Sequence, residues 1–233
     1  MLALSSSSSL SRKALSRIGD VLMARGDFAG ALKFLDDKLD GLEPGETRTA
    51  LQLKKCQALF LSGELDSSLI RLTHLMAELN DTDPYLNDVM ELKGFIDESY
   101  SRGSPRARDA FHLYLKGEKL LKQANLTEAR EVFRQVELQY PADPITPYAV
   151  FRGGKIDLIL GNWEGAKEQF MSLRDTPLGD RATAVIGEIY QYHLHDRQKA
   201  ARWYLTVLED YPDTMLAEPI RYRIRAISAE AGG

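Results

Sequence analysis

The sequence predicts an all-α stack of antiparallel helical hairpins. Three observations predict it: a glycine-polar punctuation recurs down the chain, apolar residues fall at spacings of three and four between the marks, and strand-like alternation is absent. Apolar residues make up 44% and charged residues 27% of the 233, so the chain is apolar enough to bury a core.

The first helix is expected at 10–25, with Ile18, Val21 and Leu22 at helical spacing and the small residue Gly19 at its centre. Gly26-Asp27 ends it and opens a second helix at 27–40 through Ala31 and Leu35. A second hairpin follows at 46–62 and 65–79, with Cys56 as the small residue, Gly63-Glu64 as the turn and Ser68 where the other copies have alanine. The helix expected at 84–101 is different. Asn80-Asp81-Thr82-Asp83-Pro84 opens it and Ser101-Arg102-Gly103-Ser104-Pro105 closes it, yet it holds no glycine turn and no alanine mark. It reads as an odd helix that breaks the phase of the hairpins.

Three more hairpins are expected, at 104–123 with 126–139, 144–160 with 163–174, and 178–193 with 197–210. Their marks are Gly117, Ala124-Asn125, Ala129, Phe133 and Pro141, then Gly154, Gly161-Asn162, Ala166 and Phe170, then Gly187, His195-Asp196, Ala200, Tyr204 and Pro212. The last copy has one extra residue in its turn. A final helix at 214–229 has no partner and reads as a cap, with Ile220, Ile224 and Ile227 turned inward and the arginines of Arg221-Tyr222-Arg223-Ile224-Arg225 turned to solvent.

Each mark has a physical reason. A small residue in the first helix of a pair, met by an alanine in the second, lets the two axes approach closely. A glycine after the first helix accepts the left-handed backbone that ends it, and a proline after the second stops it. The expected organisation is a leader at 1–9, an N-terminal block at 10–80, the odd linking helix at 81–104, a C-terminal block at 105–229 and a tail at 230–233.

The repeated series of glycine, glycine-polar-aromatic, alanine, aromatic and proline resembles the tetratricopeptide repeat family over roughly 10–80 and 104–212. That resemblance implies an α-solenoid wound as a right-handed superhelix with a C-terminal capping helix. It also implies a noncatalytic scaffold, adaptor or assembly factor that holds a partner protein in the concave groove of its first helices. The alternative it leaves open is a structural subunit that stabilises a larger complex through its convex face and ends. The copies ending in Tyr140-Pro141 and Tyr211-Pro212 resemble those of bacterial repeat proteins, which implies a bacterial cytoplasm, periplasm or cell envelope. Asp157, Ser68 and His195 depart from the family pattern.

Registering each first helix on its small residue projects Arg17, Asp20 and Met23, then Lys54, Gln57 and Phe60, toward the groove of the N-terminal block. In the C-terminal block the partner-binding candidates are Phe111, Tyr114 and Glu118, then Tyr148, Phe151, Arg152 and Lys155, then Arg181 and Glu188. Aromatic and basic residues together suit an extended or helical segment that carries a carboxylate and an apolar anchor. Packing of Tyr148 and Phe151 against the neighbouring repeat is the competing role.

Other functions find little footing. With 30 basic and 34 acidic residues the net charge is −4, so no overall positive field draws in nucleic acid. No phosphate loop, paired carboxylates or nucleophile with its base is evident, and no cofactor is expected. His193 and His195 stand two apart on a helix and point to different sides, so no metal site is assigned. Cys56, the one cysteine, forbids an internal disulfide and reads as a buried inert thiol. No apolar run reaches about 18 residues, so no membrane span is expected. Met1 to Leu4 followed by five serines lacks the pattern of an intact secretory signal.

Overall fold

The structure, a computed structural model, describes residues 9–231. The leader and the tail therefore fall, but for their innermost residues, outside the described residues. Among the described residues there are twelve α-helices and no strand. They are α1 (Ser9–Ala24), α2 (Phe28–Leu39), α3 (Glu46–Ser62), α4 (Leu65–Glu78), α5 (Leu86–Ile96), α6 (Pro105–Lys122), α7 (Leu126–Gln139), α8 (Thr146–Ile159), α9 (Trp163–Ser172), α10 (Gly179–Glu188), α11 (Arg197–Asp210) and α12 (Ala217–Ala231). The chain forms two compact units that divide inside α7, between Ala129 and Arg130.

In the first unit the two hairpins close over small residues. Gly19 is buried, and a Cβ placed there would lie 3.3 Å from Lys54 Cγ and 3.7 Å from Leu35 Cδ2. Ala31, Leu35 and Cys56 are buried as well. Ser68 fits its fully buried place because its hydroxyl donates to the Cys56 carbonyl at 2.9 Å, so the extra oxygen is satisfied. The segment at 81–104 becomes α5, continued by a π-helical turn at Asp97–Ser101. Ser104 then caps α6, its Oγ accepting from the Ala107 amide at 3.2 Å, with Pro105 in the first helical turn.

The second unit repeats the same crossing with tighter fits. A Cβ on Gly154 would stand 2.8 Å from Phe170 Cζ, and one on Gly187 would stand 2.5 Å from Tyr204 Cε1. Ala166, Phe170, Ala200 and Tyr204 are fully buried. Phe170 centres one apolar cluster with Val150, Ala182 and Ile186, and Tyr204 another with Val207, Ile220 and Ile227. Each layer thus closes against its neighbour, which is how hairpin stacks gain stability. Ile220 and Ile227 fasten α12 as the cap.

The extra residue before α11 is absorbed by a second π-helical turn, Ile189–His193, which widens the helix by one residue. The chain then leaves through His195 at φ +53°, the place a turn glycine holds elsewhere. A side chain there strains the backbone. His195→Gly is therefore expected to raise the stability of the second unit by about 0.5–1 kcal/mol in urea denaturation.

Candidate partner-binding faces

In the first unit, α1 and α3 meet at an ionic node. Lys54 Nζ lies 3.1 Å and Lys122 Nζ, from α6, 2.8 Å from Asp20 Oδ1. Burial alone would raise the Asp20 carboxyl; the two ammonium groups outweigh it and hold the carboxyl below its ordinary range. Toward the other end of the same helices lies a depression of about 270 Å³, floored by Ala50 and Leu53 and edged by Arg12, Ser16, Lys54, Gln57, Tyr85 and Asp88. Arg12 is ion-paired with Glu46.

Two of the expected groove residues are corrected here. Phe111 is fully buried and Tyr114 is 3% exposed, so neither presents a ring to a partner. Phe111 packs 6.2 Å from Phe60, 5.5 Å from Phe95 and 5.8 Å from Tyr100, and Tyr114 packs 5.6 Å from Phe95. The physical reason is the odd helix, since Phe95 of α5 and Tyr100 of its π-helical turn come down on α6. Glu118, half-buried, accepts the Tyr114 hydroxyl at 2.6 Å.

The remaining candidates belong to the second unit. Tyr148 and Lys155 are half-buried and Arg152 is exposed along α8, while Arg181 is exposed on α10. The Phe151 ring packs edge-on against Phe170 of its own hairpin, 5.3 Å away at 72°, and Lys155 Nζ sits 5.8 Å from the Phe151 centroid. Glu188 pairs with Arg223 of α12 at 2.9 Å. Arg223 also donates to the Tyr204 hydroxyl at 3.2 Å, and Tyr204 donates to Gln191 Oε1 at 2.7 Å. Burial pushes the Tyr204 phenol up to about 12, against the opposing pull of Arg223. The expectation that the cap's arginines are all solvated is thus corrected: Arg221 and Arg225 are exposed, whereas Arg223 bridges the cap to α10 and α11.

Asp157 has a structural role. It is 1% exposed and accepts from Arg130 Nε at 2.8 Å, from Arg130 Nη2 at 3.1 Å, from Asn162 Nδ2 at 3.2 Å and from Gln169. Four hydrogen bonds make a carboxylate tolerable where a large side chain is usual. His193 stacks on Trp163 with ring centroids 4.0 Å apart, while His195 sits in the strained turn. Among the described residues no group of three or more metal-ligating side chains comes together, and no helix is long and apolar enough to cross a membrane. Cys56 is buried and its thiol is pushed up to about 11 by that burial, which keeps it from acting as a thiolate.

Small-residue crossings, glycine-polar turns and a capped last hairpin define an all-α fold of repeated helical hairpins. No family model matches the sequence, and no curated protein matches it either. Among solved structures it is similar to a tetratricopeptide repeat protein from Parabacteroides merdae, 14% identical, with 95% of this chain and 86% of that chain covered and a TM-score of 0.43. The fold is defined by this chain's own packing.

Proposed function

We propose that the chain is a noncatalytic scaffold or adaptor that holds a partner protein on the first-helix face of its second unit. One observation supports this most: Tyr148, Arg152 and Lys155 recur at spacings of four and three along α8, on a side of the helix that stays open to solvent at Arg152. Such a row offers a carboxylate-bearing segment a ring, a guanidinium and an ammonium in succession. The test is binding of copurifying partners to the full chain and to the triple variant Tyr148→Ala, Arg152→Ala, Lys155→Glu. At least a tenfold loss of affinity for a partner is expected, and unchanged binding of every recovered partner removes the assignment. Phe151 is left intact because its ring supports Phe170.

A second reading, association through the end of the array, is favoured by α1. Leu10, Ile18 and Val21 lie on one side of that helix at 74%, 44% and 43% exposure. Solution mass measured over a range of concentrations discriminates the two readings, since a monomer at every concentration removes homotypic assembly.

A further inference from the structure

The first unit carries a helix laid along the face that its own first helices build. α6 meets α5, α3 and α1 in turn: Phe111 and Tyr114 pack on Phe95, Phe111 also packs on Phe60, Lys119 Nζ donates to the Ser62 carbonyl at 3.2 Å, and Lys122 Nζ reaches Asp20 at 2.8 Å. Beyond it, Gln123 lies against the Gly26 turn. These side chains stand at positions 111, 114, 119 and 122, one stripe of a helix, while Asp109 and Lys116, turned well away from it, are exposed. The covered residues Asp20 and Phe60 are two that helix register assigns to the open side of α1 and α3. An amphipathic helix seated by two aromatic anchors and two cations is how helical peptides occupy apolar grooves.

We propose that this part of the first unit is a helix-binding site and that α6 is its resident intramolecular ligand, which an outside helix of the same chemistry must displace. That chemistry is two aromatic residues one turn apart, followed two turns later by a lysine that answers Asp20. α6 runs from its Ser104 cap to Lys122 and is flanked by Gly103 and by Ala124, which holds a left-handed φ of +61°. Its meaning rests on the reading of the chain as a protein-binding scaffold, but its test uses a different unit and a different probe.

The probe is a labelled synthetic peptide of residues 104–123, titrated into the full chain and into the full-chain double variant Tyr114→Ser, Lys122→Glu, which loosens the resident helix at its middle and at its C-terminal end. The double variant is expected to bind the peptide at least tenfold more tightly than the unaltered chain, and a scrambled peptide is expected to bind neither. Equal affinity for both folded chains overturns the proposal, as does equal binding of the scrambled peptide. Should the double variant lose its helical circular dichroism, hydrogen exchange of the unaltered chain decides. α6 amides exchanging at least tenfold faster than those of α3 support a displaceable helix, and exchange of both through one common opening overturns it. The triple variant of the second unit should leave peptide binding unchanged, so the two proposals fail separately.

Discussion

Gly187→Leu is expected to destabilise the second unit by about 3 kcal/mol or more, a large fraction of what holds an ordinary domain together. The cause is local. A Cβ at this position would already stand 2.5 Å from Cε1 and 2.7 Å from Cδ1 of Tyr204, whose ring is fully buried and tied through its hydroxyl to Gln191 and Arg223. The ring cannot swing aside without breaking those bonds, so α10 and α11 must separate and expose the cluster around Val207 and Ile220. Gly154→Leu should act in the same way against Phe170. Gly19→Ala should cost about 1 kcal/mol or less, since its nearest neighbour is the flexible Lys54 stem at 3.3 Å. Both tryptophans, Trp163 and Trp203, lie in the second unit, so their fluorescence during urea denaturation reports the loss there directly.

Arg130→Met is expected to cost about 2–4 kcal/mol, because it strands a carboxylate that is 1% exposed with only Asn162 and Gln169 to satisfy it. The reverse truncation is milder. Asp157→Leu leaves Arg130, whose side chain is 46% exposed, and the exposed Asn162 free to turn to water, with the half-buried Gln169 the one donor left beside an apolar group of similar bulk. Its cost should be about 1 kcal/mol or less. This asymmetry between two partners of one ion pair separates burial of the charge from the ionic bond itself, and the same urea titrations measure it. Equal losses for the two variants would show that the pair's attraction, rather than desolvation of Asp157, governs the site.

Local chemistry in the sequence was enough to locate the helices and their turns. The glycine-polar turn at Gly161-Asn162 and the serine-proline start at Ser104-Pro105 are decided within a few residues, and α3, α7 and α11 lie where their punctuation puts them. The crossings were legible too, because only a small residue fits opposite Phe170 or Tyr204. The candidate site was less so. Helix register tells which side of α6 bears Phe111 and Tyr114 but not what covers that side, and α5, which lacks repeat marks, supplies Phe95 for the purpose. The bond from Arg223 back to Glu188 and Tyr204 spans 35 and 19 positions and leaves no periodic trace. The two π-helical turns were invisible for a related reason. A one-residue insertion shows in the sequence only as a misfit in spacing, as it did before His195, and not as a backbone shape.

Hairpins nest through a small residue facing one particular large ring. A double-mutant cycle on Gly187→Ala and Tyr204→Leu tests it most directly, with urea denaturation of the unaltered chain, both single variants and the double variant. Because the smaller leucine makes room for the new methyl group, the double variant should be more stable than the sum of the single losses implies, by about 1 kcal/mol or more. Strict additivity would mean that Gly187 and Tyr204 do not face each other, and the packing described here would be wrong.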